Sequence, residues 1–511
     1  LSRLKRNLIA NLTAKIIIAV AGLAFIPLYI RFLGIEQYAI VALLPSLNAL
    51  STILDFGISP AVNRELARLS AQSGSGQAMR DLVRTFEVLA WTIAAALAVI
   101  IAILIPFLIA RWGHDGQFSE DRIQYIAYLM GVVVALGWPL SFYNGAVTGL
   151  QRQVALSAVN GAAAVLRGAG AVVVLWLISP TMEAFLIWQA IVALALPLIV
   201  GAVLRGYLPT ASGRSRFTLQ PIRQLWRLAA GMSGTGIILV ASEHLDKLIL
   251  SQILPLDVFG YYMLAALVAS KLGIVMEPIM NSLFPRLSQL ASTASMDALR
   301  ETYRAGVQIS AVAVFPMVMI LVFFGQPIMT LWTMNPVYGK EAAALVAILI
   351  VGYGFFSIID ITMALDWALG RTKLIFWPKL TGLVVSLPLL YIAAKTYGAI
   401  GAALVWPIVN GSVFLVAVPL VHILWKESKA RHWYLQSLLP PLLASFTVAG
   451  GLSLLQPHGG GVLTEIVVLA VVGLTTFAAA GLSTPISRRY LRTRLHIHFP
   501  RVATSLYGES D

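Results

Sequence analysis

The sequence predicts an all-α polytopic membrane protein of about 14 transmembrane helices, in two pseudo-symmetric six-helix lobes with two further helices at the C-terminal end. Three observations carry this. Of 511 residues, 59% are hydrophobic and 11% charged, far below the ~25% charge of soluble domains. Apolar stretches long enough to cross a bilayer, which takes roughly twenty residues, recur almost end to end. The basic residues also alternate. With the N-terminus inside, roughly three quarters of the 36 Lys and Arg fall in loops on that side, as the positive-inside rule describes.

In order, spans are expected near 8–33, 38–63, 82–110, 123–149, 154–178 and 182–204, an N-lobe over 1–204. A cytoplasmic basic linker, 205–223, carries Arg205, Arg214, Arg216 and Arg223. The C-lobe, 224–424, holds spans near 224–253, 258–287, 304–327, 341–369, 374–395 and 398–424. Two last spans lie within 425–485, and 486–511 is a basic cytoplasmic tail. The halves read as copies. The shift that lays Leu254 on Leu33 also lays Asp257 on Glu36, Phe259 on Tyr38, Gly370 on Gly149 and Gly382 on Gly161. An even number of helices per copy gives both copies one orientation, the arrangement of transporters whose halves are related by an axis along the membrane normal.

The net charge of +14 is explained by orientation and contact with anionic lipid, and its distribution argues against a nucleic-acid partner. No cysteine is present, which excludes disulfides, thiolate nucleophiles and Cys-ligated metals. Neither G-x-x-x-x-G-K-[ST] nor H-E-x-x-H occurs. The exterior connections are short, with no room for a catalytic domain such as a membrane glycan polymerase or ligase would need. The chain reads as a transporter without a cofactor or metal, not an enzyme.

Charges inside the spans point to the chemistry. A mid-membrane charge costs about 2.5–3.5 kcal/mol on insertion scales, so it faces a bundle interior or a wet cavity. The cations are Lys15, Arg167, Lys247 and Lys271; the acids are Asp55, Glu243, Asp246, Glu277, Asp360 and Asp366. Lys379 is either deep or snorkels to the inside surface. On the second span Asn48, Ser51, Thr52, Asp55 and Ser59 form one helical stripe; Ser157, Asn160 and Arg167 share a face of the fifth; Asn11 and Lys15 share one on the first. On the tenth, Tyr353, Phe356, Asp360 and Trp367 align. Plainer readings accompany each. Glu243 and Lys247, four apart, fit a self-neutralising pair, Lys15 can snorkel, and Asp55 and Glu277 can cap bends. Arg167 has no acid three or four residues away. Pro27, Pro139, Pro278, Pro316 and Pro407 are expected to bend their helices.

The pattern Asn11…Lys15…Pro27…Leu33-Gly34-Ile35-Glu36-Gln37-Tyr38, followed by Leu54-Asp55-Phe56-Gly57 and Arg64, resembles the polysaccharide transporters, or Wzx-type flippases, of the multidrug/oligosaccharidyl-lipid/polysaccharide superfamily. Asp246-Lys247 and Leu256-Asp257-Val258-Phe259-Gly260-Tyr261 echo it in the second half. The chain departs from that pattern at Ala39, where relatives often carry Gly. The resemblance implies a MATE-like, two-lobed fold with alternating access in the bacterial inner membrane. It implies an undecaprenyl-pyrophosphate-linked oligosaccharide as substrate, and polysaccharide polymerase and chain-length machinery as partners. Lys15, Arg167, Lys247 and Lys271, with Asn160 and Asn48, are then expected to contact the substrate in a cationic central cavity. Asp55, Glu243, Asp246, Glu277, Asp360 and Asp366 would gate, or bind a coupling H⁺ or Na⁺. Two rivals keep the architecture: a lipid II flippase, and a cation-coupled multidrug antiporter, for which an acid-dominated cavity is expected.

Overall fold

The structure, a computed structural model of the chain, describes residues 2–109, 119–210, 213–293, 295–371, 373–424, 434–455 and 461–484. Within helices the side chains of residues 2–12 and 224–235 also lie outside the description, so Asn11 is not placed, nor is the 486–511 tail. Every regular element among the described residues is helical. Among the described residues eleven stretches are long and apolar enough to cross a membrane. Two are too long for one crossing. At about 1.5 Å per residue, Thr13–Asp55 and Phe376–Ile423 would reach twice the ~30 Å hydrocarbon thickness. Both are broken at a glycine with positive φ, Gly34 (78°) and Gly398 (60°). Past the second the chain doubles back, with Gly401 against the Ala393 carbonyl and Tyr397. With the helix Gln220–Leu250, the crossings come to about fourteen, and the chain is a multi-pass membrane protein.

Two compact units divide the chain, Leu1–Gly260 and Tyr261–Asp511. The first contains α1 (Ser2–Ala24), α2 (Ile26–Val41), α3 (Leu44–Ser51), α4 (Ile58–Ser70), α5 (Gly76–Ile109), α6 (Glu120–Gly137), α7 (Leu140–Gly149), α8 (Gln153–Leu177), α9 (Met182–Tyr207) and α10 (Gln220–Leu250). The breaks follow from sequence. Pro27 opens α2 just after the interruption at Phe25, and Pro139 separates α6 from α7, since proline removes a backbone donor and clashes with the preceding turn. Close packing follows from small residues. α4 lies against α7 where Gly145 and Gly149 meet the backbone carbonyls of Ser59 and Asn63, a small-xxx-small approach that any Cβ would block.

The connection after α9 is strapped to α5. The Arg216 N–H donates to Asp81 Oδ1 (2.7 Å), Gln77 Nε2 donates to the Arg214 carbonyl (3.1 Å), and the Thr218 N–H donates to Thr85 Oγ1 (3.0 Å). Gln77, Asp81 and Thr85 recur every four residues, so one face of α5 holds alternate residues of an extended segment.

In the second unit, α11 (Leu256–Ser270, begun in the first unit) leads to α12 (Leu272–Ser292), α13 (Met296–Thr333), α14 (Pro336–Ala368) and α15 (Lys373–Leu424). The last crossings, α16 (Leu439–Leu454) and α17 (Val462–Ser483), pack on each other and on α13. A fully buried polar cluster ties three helices here. The Tyr303 hydroxyl lies 3.1 Å from Thr362 Oγ1 and 3.3 Å from His422 Nε2, while His422 Nδ1 lies 2.7 Å from the Val418 carbonyl. That carbonyl can only accept, so Nδ1 carries the proton and Nε2 accepts from Tyr303. The repeat's landmarks fall at matching places: Gly149 ends α7, and Gly370 (φ 72°) turns the chain just after α14.

Candidate functional site

The second crossing does not run through as one helix, so the expected stripe from Asn48 to Ser59 is not continuous. After α3 a single 3-10 turn, Thr52–Asp55, leads to Phe56 (φ 44°) and Gly57 (φ 76°), both left-handed, and α4 starts at Ile58. A break in hydrocarbon frees backbone groups that cost several kcal/mol each if unpaired. Around this break side chains add hydrogen bonds to the carbonyls of α3. Asn48 Nδ2 donates to the Leu44 carbonyl (3.0 Å), Ser51 Oγ to that of Asn48 (2.7 Å), Thr52 Oγ1 to that of Ala49 (2.6 Å), and the Trp138 indole N–H to that of Ser51 (3.0 Å).

Asp55 closes the other end. Its carboxylate accepts from the Ser59 N–H (3.1 Å) and the Ser59 hydroxyl (2.7 Å), which places a negative charge at the N-terminus of α4, where the helix dipole favours it. Ser59 Oγ is also 3.1 Å from Ser141 Oγ. The result is a cavity of about 450 Å³ inside the first unit, lined by Thr52, Asp55, Ser59 and Asn63 from the broken crossing, Ser141, Asn144 and Thr148 from α7, and Gly236, Ile237 and Val240 from α10. Asn160 on α8 reaches Asn144 (3.4 Å) from outside that lining. Asp55 is the single charged side chain among the lining residues. Such a chamber offers neutral donors and acceptors to a polar ligand and one carboxylate to a cation or proton.

The expected cations lie elsewhere. Lys15 is half-buried on α1, and Arg167 is exposed on α8. The backbone around Arg167 is held by Trp188, whose indole N–H donates to the Arg167 carbonyl (3.2 Å), and by Tyr29, whose hydroxyl donates to the Gly168 carbonyl (3.1 Å). Among the described residues no carboxylate pairs with Arg167 or with Lys271, which sits half-buried at the start of α12. Lys247 is different. It is 8% exposed and donates to both Asp246 oxygens (2.9 and 3.1 Å) and to the Glu243 carbonyl. The partner is thus the adjacent carboxylate rather than the one four residues back, because a long, flexible ammonium curls where a short side chain cannot. Near it, His244 Nδ1 is 3.2 Å from the buried Ser46 hydroxyl.

In the second unit Lys379 is buried rather than snorkelling, and pairs with Asp360 at 3.3 Å. Its ammonium stands 4.3 Å from the Phe356 ring centroid, and Trp406 stacks on Phe356 and tilts against Tyr353. Trp367, expected in the same stripe, meets Phe284 instead. Asp366 is buried on α14 and Glu277 exposed on α12. Sequence reading passed over Ser141, Asn144 and Thr148. Their spacing of three and four residues on one span was a legible polar stripe.

The comparisons add identity to this geometry. A model of the polysaccharide biosynthesis protein family matches residues 4–291. The chain is 25% identical over 192 residues to a putative O-antigen transporter of Shigella flexneri, a match covering 38% of this chain and 45% of that one. It is 23% identical over 444 residues to an uncharacterized membrane protein of Methanocaldococcus jannaschii, covering 80% and 95%. In fold it is similar to a lipid II flippase MurJ in an inward closed conformation (TM-score 0.68, 14% identity, 92% of this chain and 97% of that). It is also similar to an inward-facing MATE-family multidrug transporter of the MOP superfamily (TM-score 0.63, 15% identity, 82% and 99%). The chain therefore belongs to the polysaccharide biosynthesis protein family, and its fold is MATE-like.

Proposed function

We propose that this protein flips an undecaprenyl-pyrophosphate-linked oligosaccharide from the inner to the outer leaflet of a bacterial cytoplasmic membrane by alternating access. In this reading both termini are cytoplasmic, 1–204 and 224–424 act as the two lobes, and 205–223 joins them on the cytoplasmic face. The observation that carries it is the first unit's chamber, whose largely apolar walls carry hydroxyls and amides suited to sugar hydroxyls, in a chain of this family. A diphosphate crossing hydrocarbon needs compensation. Arg167, with no carboxylate to displace among the described residues, offers the charge-assisted hydrogen bonds that a guanidinium makes best, and in the second unit Lys271 offers an ammonium. Lys15 adds a third cation, and Lys247 would have to leave Asp246 to take part. Asn160 and Asn48 border the route. Asp55 carries the coupling H⁺ or Na⁺, and Glu243, Asp246, Glu277, Asp360 and Asp366 respond to gating. Anionic lipids, a polymerase and chain-length proteins are the companions this role entails.

A second reading, cation-coupled drug antiport, is favoured by one feature, the lone carboxylate of the chamber. Reconstitution separates the two. Protein in liposomes should translocate a fluorescent lipid-linked oligosaccharide, and Arg167→Ala should lower the rate about tenfold or more, one charge-assisted interaction's worth. Wild-type rates from Arg167→Ala at normal abundance, or ion-driven efflux of organic cations without any glycolipid movement, would overturn the first reading.

A further inference from the structure

A second cavity, of about 550 Å³, opens in the first unit at the end of the bundle that bears the α4–α5 and α7–α8 turns. Arg152, Tyr207, Gln72, Gln77 and Thr210 are among its walls, and no Asp or Glu lines it. The arginine is the informative group. Its guanidinium stacks 4.5 Å from the Tyr207 ring centroid, an arrangement that fixes its plane while leaving its N–H edge unused. Among the described residues none accepts a hydrogen bond from that guanidinium. Nearby arginines are already engaged, since Arg84 and Arg205 both pair with Glu87. Gly76 and Gln77, the first residues of α5, and Arg152, the residue before α8, line the same space. The start of the strapped connection, Pro209 and Thr210, forms one wall.

We propose that this cavity is a phosphate-binding site, with Arg152 as the anion ligand and Tyr207 as its positioning residue. The volume suits a phosphate ester such as a phospholipid headgroup, and an oxyanion is what a stacked guanidinium in an acid-free pocket recognises. The site is separate from the Asp55 chamber and makes no claim on what is transported.

Native mass spectrometry and thermal-shift titration of the purified full-length protein test it. One arm adds phosphatidylglycerol against phosphatidylcholine; the other adds inorganic phosphate or glycerol 1-phosphate. Wild-type protein is expected to retain at least one of these probes, and Arg152→Gln to weaken that retention about tenfold or more. Tyr207→Leu keeps the charge but loses the stack, and is expected to weaken binding several-fold even if Arg152→Gln fails to fold. Retention of phosphatidylglycerol alone identifies a membrane lipid, and a shift with free phosphate identifies a soluble ester. No retention of any probe overturns the proposal, as does equal retention by both variants, or an equal loss in Arg80→Gln, a basic control outside the cavity.

Discussion

Replacing Asp55 by Asn separates its capping of α4 from the ion coupling proposed for it. The carboxylate accepts two bonds from Ser59, through the backbone N–H at 3.1 Å and the hydroxyl at 2.7 Å. An amide keeps the shape and one acceptor. Its NH₂ end can donate to Ser59 Oγ, which is free to turn its own proton to Ser141 Oγ, 3.1 Å away. What Asp55→Asn removes is mainly the charge facing the α4 N-terminus, worth about 0.3–1 kcal/mol at a surface and up to about 2 where partly buried. Asp55→Leu also strands the Ser59 N–H, adding about 1–3 kcal/mol. Apparent melting temperatures in detergent, read by loss of the monodisperse chromatographic peak, should therefore rank wild type above Asp55→Asn above Asp55→Leu. If Asp55 carries the coupling ion, Asp55→Asn should also lose gradient-driven flipping by about tenfold or more, equivalent to about 1.4 kcal/mol on the barrier. Wild-type flipping with unchanged ion dependence in Asp55→Asn would reduce the residue to a cap. An Asp55→Asn protein as unstable as Asp55→Leu would refute the capping arithmetic.

Other substitutions follow from the same contacts. Arg167→Ala strands no paired carboxylate, so its melting temperature should match wild type while flipping falls; a large loss of stability would place it in the packing. Removing one member of the Lys379–Asp360 pair leaves a buried charge uncompensated, at about 3–5 kcal/mol, whereas Lys379→Met with Asp360→Leu should be close to neutral; a double-mutant cycle on thermal stability reads the difference. Gly145→Val drives a side chain into the Ser59 carbonyl and should cost about 1–3 kcal/mol, seen as reduced folded yield. Tyr303→Phe removes the hydroxyl that lies between Thr362 Oγ1 and His422 Nε2 in a fully buried cluster, at about 1–3 kcal/mol; an unchanged melting temperature would argue that Thr362 or water replaces it.

The crossings were legible because hydrocarbon thickness imposes a minimum apolar length, and length survives in a single sequence. Their punctuation was legible too: Pro27, Pro139 and the positive-φ Gly34 and Gly370 all mark places where the helix path is interrupted. Pairing was not. Lys379 finds Asp360 across two helices, a contact that no spacing rule along the chain encodes. Lys247 prefers Asp246, although adjacent positions on a helix do not face one another, because four methylenes let the ammonium fold back. The chamber was half legible, from Asp55 and Ser59. Its other wall, Ser141, Asn144 and Thr148, was obscured because isolated hydroxyls and amides stand out less in apolar helices than charges do.

The break in the second crossing explains why a polar chamber can exist there at all. A continuous helix satisfies its own carbonyls and N–H groups and has no need of polar neighbours. Once Phe56 and Gly57 turn left-handed, acceptors are exposed on one side of the break and donors on the other, and lipid cannot serve either. Ser51, Thr52 and Trp138 bond carbonyls beside the break, and Asp55 covers the donor end. Each of these polar groups must in turn be kept from hydrocarbon, which favours the hydroxyl and amide face of α7 opposite. The glycines at 145 and 149 then let α7 approach closely enough to close that side. The polar groups that do line the chamber thus follow from the break. A ligand or ion that drew Asp55 away from Ser59 would break the two bonds that cap α4, and would be felt directly as a change in the stability of the α4 N-terminus.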